Sequence, residues 1–296
     1  MKKLGILAVI LLACSARAAD APEPPPQDWR DVSPDNLVLI DTRYGEVAVE
    51  LAPEFASKHV ERVRALIRAH FYNGLSFYRV IDGFVAQGGI GEGTASTKDH
   101  PKEAASLKQW PALKAEFERP IGNDGTFTPL GNSDLFAPEA GHMDGFPIGR
   151  DPKAGREWMI HCPGTFAFAR DNGADTATTE FYIVIGEAPR RLDRNLSAFG
   201  RVIDGMQYLQ KLARGDQKIE NGVIQDVAKR DPIVRMRLAS DIPDRERPHF
   251  QVMRTESASF AKEKELRKNP APDFYIHTPP PVLDICGLAV PVRGVN

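Results

Sequence analysis

Phe77-Tyr78-Arg79-Val80-Ile81-Asp82-Gly83-Phe84-Val85-Ala86-Gln87-Gly88-Gly89 is the stretch on which the fold turns. Its first five residues are a short β-type run of aromatic and β-branched side chains, and Asp82-Gly83 supplies the turn that ends it. Arg79 is the one charged residue inside that run. Outward from here the pattern repeats. Residues 165–169, 181–185 and 198–202 are further short β-type runs bounded by Gly, Asp or Asn, and residues 233–238 form a last one.

Upstream, residues 37–51 predict a β-hairpin. Val47, Val49 and Leu51 alternate with Ala48 and Glu50, the period of a strand with one buried face, and Tyr44-Gly45 stands where the turn is needed. The period then changes. Val60, Val63, Ile67 and Phe71 fall at helical spacing over residues 56–72, with Lys58, Glu61, Arg62, Arg64 and Arg68 off that stripe, until Asn73-Gly74 stops the helix. A second helix is expected from Asp204, a natural N-cap, to Gly215, with Met206, Leu209 and Leu212 as its apolar face. Many short strands with only two helices predict a mainly β fold, a closed antiparallel barrel capped by two helices. A parallel α/β fold needs a helix after almost every strand.

Three stretches lie outside that barrel. Residues 119–160 are rich in Gly and Pro and read as a long inserted loop. They also hold Phe127, Leu130, Leu135, Phe136, Met143, Phe146, Ile148 and Trp158, more large apolar residues than a disordered segment carries, so the insert is expected to pack partly on the barrel near its groove. Residues 241–296 form a C-terminal extension, with a charged helix over 257–268 followed by a proline-rich segment. Residues 19–36, which include Pro22, Pro24, Pro25 and Pro26, read as a stiff linker, and order is expected to begin near Leu37.

The first 18 residues have the order of an export signal: Lys2-Lys3, an apolar run from Leu4 to Ala13, then Ala16-Arg17-Ala18. The run is too short to span a bilayer. Leu11-Leu12-Ala13-Cys14 also resembles a lipobox, so the alternatives are cleavage after Ala18 and a lipid anchor on Cys14. Either places the chain outside the cytoplasm, periplasmic or secreted. Cys162 and Cys286 remain, and export permits a disulfide between them, although sequence alone leaves the pairing open.

Residues 77–89 closely resemble the signature of the cyclophilin family: an aromatic, any residue, Arg-Val-Ile, then Gly-Phe, then Gln-Gly-Gly. Further segments resemble that family in its order. They are Lys114-Ala115-Glu116-Phe117, Gly164-Thr165-Phe166-Ala167-Phe168-Ala169-Arg170, Thr178-Thr179-Glu180-Phe181-Tyr182-Ile183, Leu192-Asp193 and Phe199-Gly200-Arg201-Val202. The resemblance covers residues 37–240 apart from the insert. It implies the cyclophilin barrel and peptidyl-prolyl cis–trans isomerase activity, and makes proline-containing polypeptides the partners.

The chemistry suits those residues. Rotation about a peptide bond faces a barrier of about 18–20 kcal/mol because the nitrogen lone pair is delocalised into the carbonyl. No bond breaks, so no nucleophile, metal or cofactor is required. A catalyst needs an apolar slot for the proline ring and a fixed donor that favours the twisted amide. Arginine suits the donor role, being always charged and rigidly forked. The resemblance assigns that role to Arg79, with Phe84 and Gln87 beside it. It makes Val85, Tyr182 and Leu192 pocket residues, and Ala169, Arg170 and Glu180 further substrate-binding positions. The chain departs from the family at Glu180, commonly Gln, at Arg191, often an aromatic important for cyclosporin binding, and at Leu196, often His.

Other functions have little support. The net charge of -2 lacks the basic surplus of a nucleic-acid binder. The histidines are scattered, without zinc-ligand spacing. There is no nucleophile elbow. The chain is expected to act as a monomer. The competing reading is a non-catalytic binding module built on the same barrel, which the Arg79–Phe84–Gln87 set argues against.

Overall fold

The computed structural model describes residues 23–91, 94–270 and 274–295. The leader, Cys14 and the start of the linker lie outside the described residues. Among those described, no helix is long and apolar enough to cross a membrane.

The centre is a curled nine-stranded antiparallel sheet. Its strands in chain order are β1 (Leu37–Thr42), β2 (Gly45–Leu51), β3 (Ser76–Val80), β4 (Val85–Gly89), β5 (Thr165–Phe168), β6 (Phe181–Val184), β7 (Ala198–Asp204), β8 (Asp231–Pro232) and β9 (Arg235–Leu238). Their spatial order is β8-β3-β4-β6-β5-β7-β2-β1-β9. The two edge strands are halves of one segment, interrupted at Ile233–Val234, where the chain leaves β3 for β1. The sheet thus curls into the expected antiparallel barrel, with a ladder that is not fully closed.

The hairpin has the expected turn, with Thr42 opposite Gly45. Val38, Ile40, Val47, Val49 and Leu51 point into the barrel core. Leu37, Leu39 and Ala48 point outward yet are also buried, in a second core. That double burial explains why Leu37-Val38-Leu39-Ile40 is continuously apolar. The first helix, Ser57–Arg68, lays Val60, Val63, Leu66 and Ile67 on the barrel core. Its own N-cap residue, Ala56, has no capping side chain. Glu116 takes that place, accepting from Lys58 N at 3.0 Å, His59 N at 3.1 Å and His59 Nδ1 at 2.7 Å. Desolvation pushes the Glu116 carboxyl up, but these hydrogen bonds outweigh it and hold the group below its ordinary value.

The second helix is much shorter than expected. It is one turn, Met206–Leu209, entered through Gly205 at φ 84°. Asp204 cannot cap it, because it is still in β7, opposite Ala48.

The insert and the extension differ most from expectation. The insert is a five-stranded antiparallel sheet built of Arg119–Pro120, Thr128–Pro129, Glu139–Met143, Phe146–Asp151 and Arg156–Met159. Order begins ahead of Leu37: Trp29–Asp31 pairs with His249–Met253, which pairs with Val292–Val295. This small sheet, the helix Ala258–Lys268 and the turn at residues 284–290 close over the outer face of the β1–β2 hairpin. Trp29, Val252, Phe260 and Ile285 share one core with Leu37 and Leu39 and with Leu130 and Ile160 of the insert. Cys162 and Cys286 form a disulfide that joins the end of the insert to the extension.

Candidate functional site

β3, β4 and β6 lie side by side, and their register places Arg79 opposite Gln87 and Gln87 opposite Tyr182. These side chains face a groove of about 580 Å³ on the outside of the barrel. Eight of the nine residues expected at the site line it: Arg79, Phe84, Val85, Gln87, Ala169, Arg170, Tyr182 and Leu192. Segments far apart in sequence thus meet in one place.

Arg79 is held from two sides. Its Nη1 donates to Gln87 Oε1 at 3.0 Å, and its Nε donates to the carbonyl of Asn221 at 2.8 Å. Gln87 is held in turn, because its Nε2 donates to the Tyr78 hydroxyl at 2.5 Å. The Asn221 carbonyl is aimed by an unusual loop. Glu220 at φ 42°, Asn221 at φ 54° and Gly222 at φ 90° are all left-handed, and a side chain at Gly222 would collide with Ile81. Such backbone concentrates where geometry serves a site. Burial pulls the Arg79 pKa below the ordinary arginine value, with the Tyr78 phenol opposing that shift. Guanidinium nevertheless keeps its charge in proteins. The result is a fixed, partly dehydrated cation at one end of an apolar slot.

That slot is made by Phe84, Val85, Tyr182 and Leu192, with Leu196 completing it. Val85 and Tyr182 are buried and share a core with Met143, Phe146, Ile148 and Met159 of the insert, which packs against this flank of the barrel. Burial pushes the Tyr182 phenol well above its ordinary pKa, so it stays protonated.

Glu180 is the exception, and the structure corrects its expected place. It lies behind the groove, buried, and accepts from Ile90 N at 3.0 Å and Gly91 N at 3.2 Å. Its carboxylate also bonds the Tyr78 hydroxyl and, after burial, is the main reason that phenol titrates far above its ordinary value. Glu180 therefore braces the line Tyr78–Gln87–Arg79 from beneath. Gly89 belongs to the same arrangement, since at φ 148° a side chain there would run into the Glu180 carboxylate. Ala169 lines the groove with its N–H bonded to the Glu180 carbonyl at 2.8 Å within the barrel. Arg170 is tied down at the groove rim through Asn195 O at 2.8 Å.

Arg191 does not line the groove. It faces a neighbouring open cavity of about 680 Å³ that also includes Phe136, Arg156 and Arg194. Sequence reasoning missed Tyr78, Asn221 and His161. The first sits inside the signature as an aromatic spacer. Asn221 contributes only a carbonyl, which no side-chain pattern can reveal.

The model of the cyclophilin type peptidyl-prolyl cis-trans isomerase/CLD family matches residues 37–237. A probable peptidyl-prolyl cis-trans isomerase of Brucella suis is 27% identical over 212 residues, 70% of this chain and 85% of that protein. A peptidyl-prolyl cis-trans isomerase of Helicobacter pylori is 28% identical over 60% of this chain and 80% of its own length. Among solved structures, cyclophilin AquaCyp293 from Hirschia baltica superposes with a TM-score of 0.70 at 30% identity, covering 91% of this chain and 94% of that one. The likeness to AquaCyp293 reaches well beyond residues 37–237, into the flanking segments. The chain belongs to the cyclophilin-type peptidyl-prolyl cis-trans isomerase family, and it is an enzyme of that kind.

Proposed function

We propose that this cyclophilin-type isomerase acts on exported proteins and accelerates their X-Pro isomerisation through Arg79. Spontaneous exchange takes tens to hundreds of seconds, slow enough to limit folding. The proline ring enters the slot of Phe84, Val85, Tyr182 and Leu192. Arg79, beside the slot, donates to the prolyl nitrogen as the amide twists and its lone pair localises. Planar amide nitrogen has little lone pair to offer, so the bond strengthens only in the twisted state. Such differential binding is what lowers a barrier.

The observation that carries this reading is the fixation of Arg79 by Gln87 and Asn221 against an apolar slot. A donor already held in place loses little entropy when it engages the substrate. Arg79→Ala should fold normally and lose about 100-fold in kcat/KM on an Ala-Pro peptide, the scale for removing one preorganised donor. Wild-type turnover in that variant would overturn the mechanism.

Export is supported by the leader and by the Cys162–Cys286 bridge, since disulfides persist in oxidising compartments. The mature chain begins at Ala19 or at a lipidated Cys14 and works as a monomer. An intact Met1 in the native protein, read by mass spectrometry, would refute export.

A further inference from the structure

Tyr182 is buried in the wall of the slot, so its hydroxyl must be satisfied there. A buried hydroxyl without a partner is costly, whereas a phenyl ring needs none. The partner is His161, whose Nε2 lies 2.9 Å from Tyr182 Oη. His161 is fully buried and lies two residues after the last strand of the insert sheet. Its orientation is fixed by Asp193. One carboxylate oxygen, Oδ1, accepts from His161 N at 2.8 Å and lies 3.1 Å from Nδ1. A carboxylate only accepts, so Nδ1 carries the proton. In the neutral imidazole that leaves Nε2 as the acceptor for the phenol.

The line continues outward. Arg190 Nε donates to Asp193 Oδ2 at 2.7 Å, and both Arg190 terminal nitrogens grip Asp134 of the insert, at 2.9 and 2.8 Å. Asp134 itself accepts from Phe136 N and Ala137 N, both at 2.9 Å. On the other side, Cys162 follows His161 directly and is bonded to Cys286.

Tyr182 and Leu192 line the slot from different elements. Tyr182 is on β6, while Leu192 is on the turn that carries Asp193. The His161–Asp193 pair bridges these two walls from behind. We propose that His161 is a positioning residue that sets the width of the proline slot. Through Asp193, Arg190 and Asp134 the insert stabilises that setting. The slot grips the ring in the planar and twisted states alike, so His161 acts on KM, whereas Arg79 acts on kcat.

This rests on the groove being the proline site. The test is therefore a steady-state comparison of His161→Leu, Tyr182→Phe and the double variant on an Ala-Pro peptide, with Arg79→Ala in parallel. His161→Leu leaves the phenol unpaired and should raise KM about 10-fold, with kcat within about 3-fold of wild type. Adding Tyr182→Phe removes the unpaired hydroxyl and should restore most of that loss. A merely structural role for His161 would give no such rescue, and its absence would overturn the proposal, as would an unchanged KM in His161→Leu. Should that variant not fold, Asp134→Asn at the outer end of the line should raise KM about 3-fold in the Tyr182 protein and have no effect in the Tyr182→Phe protein. Equal effects in both backgrounds would overturn the proposal. Failure of Arg79→Ala to reduce activity would instead strike at the site assignment itself.

Discussion

Reducing the Cys162–Cys286 bridge, or replacing Cys286 by Ala, should destabilise the protein strongly. The bridge spans 124 residues, including β5, β6, β7 and the whole path to the extension. A loop of that length costs an unlinked chain about 5 kcal/mol in closure entropy at 25 °C, on the chain-entropy model. That is an upper figure, because an unfolded chain already keeps some compactness. Both sulfurs lie at the core shared by the extension, the insert and the barrel hairpin, where Cys162 neighbours Ile160, Ile285 and Leu288. Those apolar contacts persist after reduction, so the bridge adds to a docked extension and is not what docks it. For a protein of this size, each kcal/mol moves the melting temperature about 2–4 °C. The expected drop is therefore at most about 10–20 °C.

The assay is thermal unfolding with and without reductant, beside Cys286→Ala, with a check that the oxidised protein resists thiol alkylation. A shift under about 2 °C would refute the reasoning, since the closure term would then be absent. Alkylation of both thiols in protein taken from its native source would refute both the bridge there and the oxidising compartment it supports.

Two further outcomes follow from buried charge. Glu180→Gln exchanges a carboxylate oxygen for an amide that cannot accept, next to Ile90 N, Gly91 N and the Tyr78 hydroxyl, and should cost about 2 kcal/mol in denaturant unfolding; unchanged stability would contradict the bracing role. His142 is buried against Phe260, and desolvation, with the charges of Arg201 and Lys264, pulls its pKa from 6.5 to about 3. The folded state then refuses a proton that the unfolded chain takes up below pH 6.5. Its contribution is therefore intact above that pH and is lost progressively as pH falls toward 3, amounting to about 2 kcal/mol by pH 5. His142→Gln should remove that part of the pH slope, and an unaltered slope would refute the assignment.

The barrel was legible because its signals are local. The alternation of Val47, Val49 and Leu51, the stripe of Val60, Val63 and Ile67 and the run 77–81 each act over a few residues. The family resemblance then gathered eight of the groove's lining residues. What the sequence concealed depends on distant partners. Gly149 reads as a breaker, yet it is a strand residue that leaves room for the Trp158 ring packed over it. Pro120 and Pro129 read as interruptions, yet they sit in the two edge strands of the insert sheet, where a missing N–H costs nothing. Trp29 looked like part of a linker because its partners, in residues 249–253 and 292–295, come more than 200 residues later. Glu180 drew attention as an unusual neighbour of the substrate, while its main partners are backbone amides behind the groove. His161 and Asp193 are 32 residues apart, and although Asp193 falls in a segment that resembles the family, His161 carries no motif that links them.

The two halves of the site are supported differently, and that has a consequence for selectivity. Arg79 is held by Gln87, Asn221, Tyr78 and Glu180, none of which belongs to the insert or the extension. The proline slot is held partly from outside the barrel. Met143, Phe146 and Ile148 pack behind Val85 and Tyr182, Asp134 anchors Arg190, and the extension is bonded through Cys162 to the residue beside His161. A change in the insert therefore reaches the slot proposed for proline without touching the supports of Arg79. Changes to the donor's supports must alter the barrel itself. On the mechanism proposed above, substitutions within residues 121–158 should shift which polypeptides bind, through KM, and leave the twisting step at its rate. Deleting the insert outright is a different perturbation, because it would expose Val85 and Tyr182 on one side and Leu37 and Leu39 on the other. Its first effect would be on folding, so selectivity is best probed by single side chains such as Asp134.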